Sequence, residues 1–149
     1  VTVCLASPLR DVYKRQPITC LELVSLNLYE DFGMIKIPRK IHYQKARDIL
    51  IKMGMEEYIN TPVNELSGGL AQRAMIAKSM INNPQILILD EPTAGVDKES
   101  KANFFETIDI LSEKFSITIV MVTHELKEME SLDLNMQKYE MVEGRLVKC

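Results

Sequence analysis

The stretch "ILILDEPTAGVD", Ile86 to Asp97, opens on an unbroken apolar run and closes in acids and turn formers. A continuous apolar run of this length marks a strand buried on both faces of a parallel sheet. It stops at Asp90–Glu91, so both acids belong to the strand's carboxyl end. Asp97 can cap the next helix, with Phe104, Phe105, Ile108 and Leu111 inward, and Ile117 to Val122 forms a second apolar strand ending in Thr123–His124. That is a β-α-β unit. A crossover helix brings both carboxyl ends to one edge of the sheet, where α/β folds bind ligands, so Asp90, Glu91 and His124 are expected to converge there. A helix from Glu125 to Leu132 should follow, then a hairpin in which Lys138 to Val142 turns at Glu143–Gly144 into Arg145 to Lys148.

Upstream, the pattern is helical. Thr19 can cap a helix running to Glu30, with Leu21, Val24 and Leu28 on one stripe and Gly33 as the stop. Pro38 suits the first turn of a second helix, whose inward face would be Ile41, Ala46, Ile49, Leu50 and Met53 before Gly54 ends it. A short helical piece, Met55 to Ile59, leads through Asn60–Thr61–Pro62 to a helix opened by Ser67 and broken at Asn82–Asn83–Pro84. Three helices are thus expected before any strand.

Composition narrows the classes. The 149 residues are enough for one domain with a core, and 46% apolar with 26% charged residues is ordinary for a globular chain. A net charge of −3 gives no electrostatic reason to expect nucleic acid. Cys4, Cys20 and Cys149 lack any CxxC spacing, and His42 and His124 are far apart in sequence, so no metal cluster is expected from them. No apolar stretch approaches the ~18–20 residues of a membrane span, and any membrane association is expected through a partner.

The first sixteen residues stand apart. Asp11–Val12–Tyr13–Lys14–Arg15–Gln16 reads as the conceptual translation of a transposase mosaic-end adapter, so residues 1–16 are expected to be a non-native segment; a genuine N-terminal arm is the alternative.

An acid pair at a strand end suits phosphoryl chemistry. One carboxylate can hold Mg²⁺ while its neighbour orients and polarises an attacking water. The plainer alternative is two acids ending a strand in solvent, although Pro92–Thr93 fixes the backbone beside them. His124 taken alone could be an ordinary polar strand end. Ser67–Gly68–Gly69 could open a helix with its N–H groups presented to an anion, the two glycines letting a ligand approach the backbone. From those three residues alone, a serine N-cap with a flexible loop is the commoner arrangement.

Taken together, "LSGGLAQR" (66–73), "INNPQILILDEPTAGVD" (81–97) and "IVMVTHEL" (119–126) resemble the signature motif, Walker B, D-loop and switch histidine of ATP-binding-cassette (ABC) transporter ATPases. The resemblance covers Pro17 to Cys149. It is closer still to bacterial zinc and manganese uptake ATPases in "PVNELSGG" and "INNPQILILDEPTAGVDKES". It implies an α/β P-loop NTPase fold in truncated form: a helical subdomain over 17–83, then the C-terminal part of a parallel-sheet RecA-like core over 84–149. It further implies Asp90 as the Mg²⁺-holding Walker B aspartate, Glu91 as the catalytic base, and His124 as the switch residue. Ala94, Gly95, Val96 and Asp97 would be the D-loop. Ser67, Gly68, Gly69 and Leu70 would act in trans, closing on ATP held by a second subunit.

Two departures stand out. Leu70 replaces the family's usual glutamine, which removes the reciprocal half of a capping box on Ser67. No G-x-x-x-x-G-K-[ST] occurs among the 149 residues, so the loop that would cradle the β- and γ-phosphates is absent from them. Gln16 is not assigned as the Q-loop glutamine. The reading expected is therefore a C-terminal portion of an ATPase that energises a divalent-metal importer. Its implied partners are a head-to-tail second subunit, an integral permease and, indirectly, a substrate-binding protein, without nucleic acid, at the inner face of a bacterial membrane. The alternatives are a soluble non-transport cassette ATPase and an inactive partner-binding fragment.

Overall fold

The computed structural model describes residues 3–6, 18–28, 38–93, 98–124 and 137–149. Its first element corrects the expected order. Strand β1 (Val3–Ala6) precedes the helices and lies parallel to β2 (Ile86–Asp90), with Val3 opposite Ile86 and Ala6 opposite Leu89. β3 (Thr118–Val122) flanks β2 on its other side, also parallel, giving the order β1-β2-β3. An apolar tetrapeptide with no period of its own becomes a strand only when a neighbour offers a ladder, which local reading does not detect.

Helix α1 (Cys20–Ser25) begins at the cap expected at Thr19, which proves to be a full capping box: Glu22 N–H donates to Thr19 Oγ1 at 3.3 Å, and Thr19 N–H donates to Glu22 Oε2 at 2.8 Å. Its buried stripe is Cys20, Leu23, Val24 and Leu28, with Leu21 only partly covered. Helix α2 (Lys40–Lys52) buries His42, Ala46, Ile49 and Leu50, while Ile41 is exposed. This corrects the expected face. Stepping back four residues from Ala46 lands on His42, and its Nδ1 accepts the Arg39 N–H at 2.9 Å, which satisfies the imidazole at the helix entrance. Gly54, at φ +69°, closes α2: its N–H donates to Ile51 and that of Met55 to Leu50, the paired bonds of a left-handed glycine cap.

Helix α3 (Gly68–Met80) is capped by Ser67, and α4 (Lys98–Lys114) crosses from β2 to β3. Phe104, Ile108 and Leu111 of α4 join Ala74, Ile76, Ala77 and Met80 of α3 and Leu87 and Leu89 of β2 in one core. The expectation that β2 is buried on both faces needs correction. Leu87 and Leu89 are fully covered, Ile86 and Ile88 only partly, and on the same side of the sheet Val120 and Val122 of β3 remain exposed. Among the described residues one face of the sheet is packed and the other is not.

The terminal hairpin pairs β4 (Tyr139–Val142) with β5 (Arg145–Lys148) through Glu143 and Gly144, both at positive φ, as a two-residue turn matching strand twist demands. The expected helix at 125–132 lies outside the described residues. No helix among the described residues is long and apolar enough to cross a membrane.

Candidate functional site

Strand register builds the site. Asp90 of β2 pairs with Val122 of β3, and the next backbone step carries the ladder one residue further, with Glu91 N–H donating to the Val122 carbonyl at 2.9 Å. His124 follows two residues beyond Val122. Its Nδ1 lies 2.9 Å from Glu91 Oε1, and because a carboxylate only accepts, Nδ1 carries the proton and donates it. Glu91 and His124 therefore meet at the carboxyl edge, while Asp90 ends the strand in an exposed position beside them.

Two features of Glu91 are unusual. Its φ is +44°, a left-handed conformation that a β-carbon disfavours, and it precedes Pro92, which restricts the backbone further. Its second oxygen, Oε2, is buried and has no hydrogen-bond partner, the sole such side-chain atom among the described residues. Buried polar atoms are normally paired, so Oε2 as placed lacks the partner that burial ordinarily brings. Mg²⁺ also fits what is present. Among the described residues no three His, Cys, Asp or Glu side chains cluster to cage a metal. Mg²⁺ commonly takes only one or two carboxylates, completing its shell from phosphate and water, and Asp90 could supply one.

Ser67 and Gly68 are exposed, and Ser67 Oγ accepts the Leu70 N–H at 3.4 Å, a long cap bond. Gly69 differs from the expectation of an open backbone. It is buried against α4, where an added β-carbon would sit 2.9 Å from Asn103 Cβ, so its lack of a side chain serves helix packing. Leu70 packs partly buried against the core. Ala94, Gly95, Val96 and Asp97 lie outside the described residues.

Sequence reading missed the residues that lock α3 in place. Gln72 Nε2 donates to the Pro92 carbonyl at 2.8 Å. Arg73, almost fully buried, donates from Nε to Thr107 Oγ1 at 3.0 Å and from an amino group to Glu106 Oε2 at 2.7 Å and the Asn103 carbonyl at 3.4 Å. The signal was present: Arg73 falls on the buried stripe of Ala77 and Met80, where an arginine needs partners.

The carboxyl edge of the parallel sheet thus carries an acid pair facing a histidine from the neighbouring strand, and Gln72 ties the same turn to the helix that opens in Ser-Gly-Gly. The sequence profile of the ABC transporter family matches residues 13–94, more than half of the chain, and the chain belongs to that family. The match begins ahead of Pro17, where the motif resemblance begins. The chain is 37% identical over 118 residues to the "Probable metal transport system ATP-binding protein" of Thermotoga maritima, covering 79% of this chain and 47% of that protein. It is 36% identical over 110 residues to the zinc uptake system ATP-binding protein ZurA of Listeria innocua, covering 74% and 43%. It is also 45% identical over 83 residues to the macrolide export ATP-binding/permease protein MacB of Bdellovibrio bacteriovorus, covering 56% and 13%. The chain thus spans about half the length, or less, of the curated relatives it matches. The fold is shared with the crystal structure of a nucleotide-free ATP-binding cassette from an ABC transporter, with a TM-score of 0.76 at 20% identity, covering 98% of this chain and 59% of that one.

Proposed function

We propose that the chain is part of the ATP-hydrolysing subunit of an importer for divalent metal ions, zinc or manganese. The observation that carries the hydrolytic role is the Glu91–His124 hydrogen bond of 2.9 Å at the carboxyl edge of the sheet. In this reading His124 holds the Glu91 carboxylate in place, and that carboxylate accepts the proton of the water attacking the γ-phosphorus as ADP departs. Asp90 would hold Mg²⁺, which offsets phosphate charge when bound. Ser67, Gly68 and the α3 N-terminus would face the ATP of a head-to-tail partner subunit, because they are exposed and offer backbone donors to an anion. The D-loop, Ala94 to Asp97, would join the two sites. A permease would receive the helical part, residues 17–83, and hold the subunit at the inner face of the membrane, with a substrate-binding protein engaging the permease from outside.

Metal import is favoured by the names of the Thermotoga and Listeria relatives. The test is ATP turnover in the assembled transporter with its binding protein. Zn²⁺ or Mn²⁺ loading of the binding protein should raise turnover, and stimulation by a macrolide or an amino acid instead would refute the metal reading. The adapter origin of residues 11–16 is a separate proposal, tested by amplifying across the Gln16–Pro17 junction from source DNA: a product of this sequence would refute it.

A further inference from the structure

Glu91 occupies a conformation that its own sequence opposes. It is a non-glycine residue at φ +44° immediately before a proline, two independent reasons for the backbone to relax elsewhere. Such a geometry persists only where the surroundings over-determine it. Pro92 has no N–H, so the turn cannot be held by a donor at that residue. Two tethers flank it. Ahead of Glu91 Cα, its own N–H donates to the Val122 carbonyl at 2.9 Å, which anchors the turn to β3. Behind it, the Pro92 carbonyl accepts from Gln72 Nε2 at 2.8 Å, which anchors the turn to α3.

We infer that Gln72 is a positioning residue for Glu91, its amide holding the Pro92 carbonyl so that the carboxylate keeps Oε1 on His124 and Oε2 buried. The inference rests on the proposed role of Glu91 as base. Arg73 makes the arrangement rigid: its bonds to Thr107, Glu106 and Asn103 fix α3 on α4 one residue beyond Gln72, so the amide cannot follow a drifting turn. Gln72 is also on the first turns of the helix that Ser67 caps. The helix end proposed to meet a partner's nucleotide and the turn that carries this subunit's own base are therefore joined by one side chain. Displacement of α3 would reach Glu91 without passing through the sheet.

Gln72→Met tests this, since it keeps an unbranched chain of similar length and removes the donor; Gln72→Glu is the second variant, retaining shape. In the assembled ATPase, Gln72→Met should lower kcat about tenfold with KM for ATP within about twofold, the pattern of a misplaced base with intact substrate binding. In a Glu91→Gln background the same change should cost nothing further, because a positioning residue has then lost what it positions. Amide hydrogen exchange of the full chain, read on the peptide containing Glu91, should quicken in both Gln72 variants while α3 and β2 exchange as before. Three results would overturn the inference: kcat retained within about twofold, an undiminished loss in the Glu91→Gln background, or unchanged exchange at Glu91. If Glu91→Gln itself retained turnover, the reading of Glu91 as base would fall, and the tether would be judged by exchange alone, acceleration supporting it and no change overturning it.

Discussion

Replacing Arg73 with alanine should destabilise the chain by about 3 kcal/mol, and the contacts show where that figure originates. The guanidinium makes a bond from Nε to the buried Thr107 hydroxyl and two from an amino group, to Glu106 Oε2 and the Asn103 carbonyl. A hydrogen bond from a charged donor contributes about 1.5–3 kcal/mol, but the Glu106 partner is 62% exposed, so that ion pair contributes only about 0–1 kcal/mol. Thr107 is not orphaned by the change, because its hydroxyl still donates to the Asn103 carbonyl at 2.8 Å. The remainder is the apolar stem of Arg73 packed between α3 and α4, whose loss leaves a void. Arg73→Met keeps most of the stem and should cost about 1–2 kcal/mol, and Glu106→Gln under about 1 kcal/mol. Urea unfolding followed by far-ultraviolet circular dichroism suits a chain without tryptophan. If Arg73→Ala fell within about 0.5 kcal/mol of the parent, or Glu106→Gln cost as much as Arg73→Ala, the account of the α3–α4 contact would be wrong.

Gly69→Ala should destabilise by about 1–3 kcal/mol because the new methyl meets Asn103 Cβ at 2.9 Å, and Asn103→Gly in the same chain should recover part of the loss; an unchanged urea midpoint would contradict this. Burial raises the Cys20 thiol from 9.0 to about 11, whereas Cys149 is exposed, so iodoacetamide at about pH 8 should label Cys149 readily and Cys20 only on unfolding. Peptide mass spectrometry showing Cys20 labelled within about tenfold of the Cys149 rate would refute its burial. The same shift sets a pH window: its contribution to stability is fully present below about pH 9 and is lost as pH rises through about 11, since the unfolded thiol ionises first. The 149-residue chain by itself should neither hydrolyse ATP nor bind it at micromolar affinity, because the G-x-x-x-x-G-K-[ST] consensus of a phosphate-cradling loop does not occur in it; calorimetry giving a micromolar Kd would overturn that.

The β2-α4-β3 unit was readable because its signals are local: an apolar run ending in acids, then a helix with Phe104, Ile108 and Leu111 at helical spacing. The meeting of Glu91 and His124 followed from topology, as parallel strands must end on one edge. What escaped depends on distant partners. β1 exists through its pairing with β2, and the open side of the sheet depends on what packs there, which an apolar run cannot encode. Gly69 reads in sequence as a glycine that lets a ligand approach, whereas its close packing on Asn103, a whole crossover away, is visible only in three dimensions. His42 and Arg73 are polar residues on buried stripes, and such residues look like interruptions until their partners are known.

Whether Glu91 is the base is decided by nucleotide occupancy of Glu91→Gln in the complete subunit with its partner. The substitution keeps shape and a hydrogen-bonding group at Oε1 while removing the proton acceptor, so turnover should fall by about 10²- to 10⁴-fold and unhydrolysed ATP should accumulate in a closed dimer. Asp90→Asn should fail differently, losing Mg²⁺-dependent affinity and turnover together. Turnover of Glu91→Gln within about threefold of the parent, a barrier change of well under 1 kcal/mol, with no trapped ATP, would contradict the account.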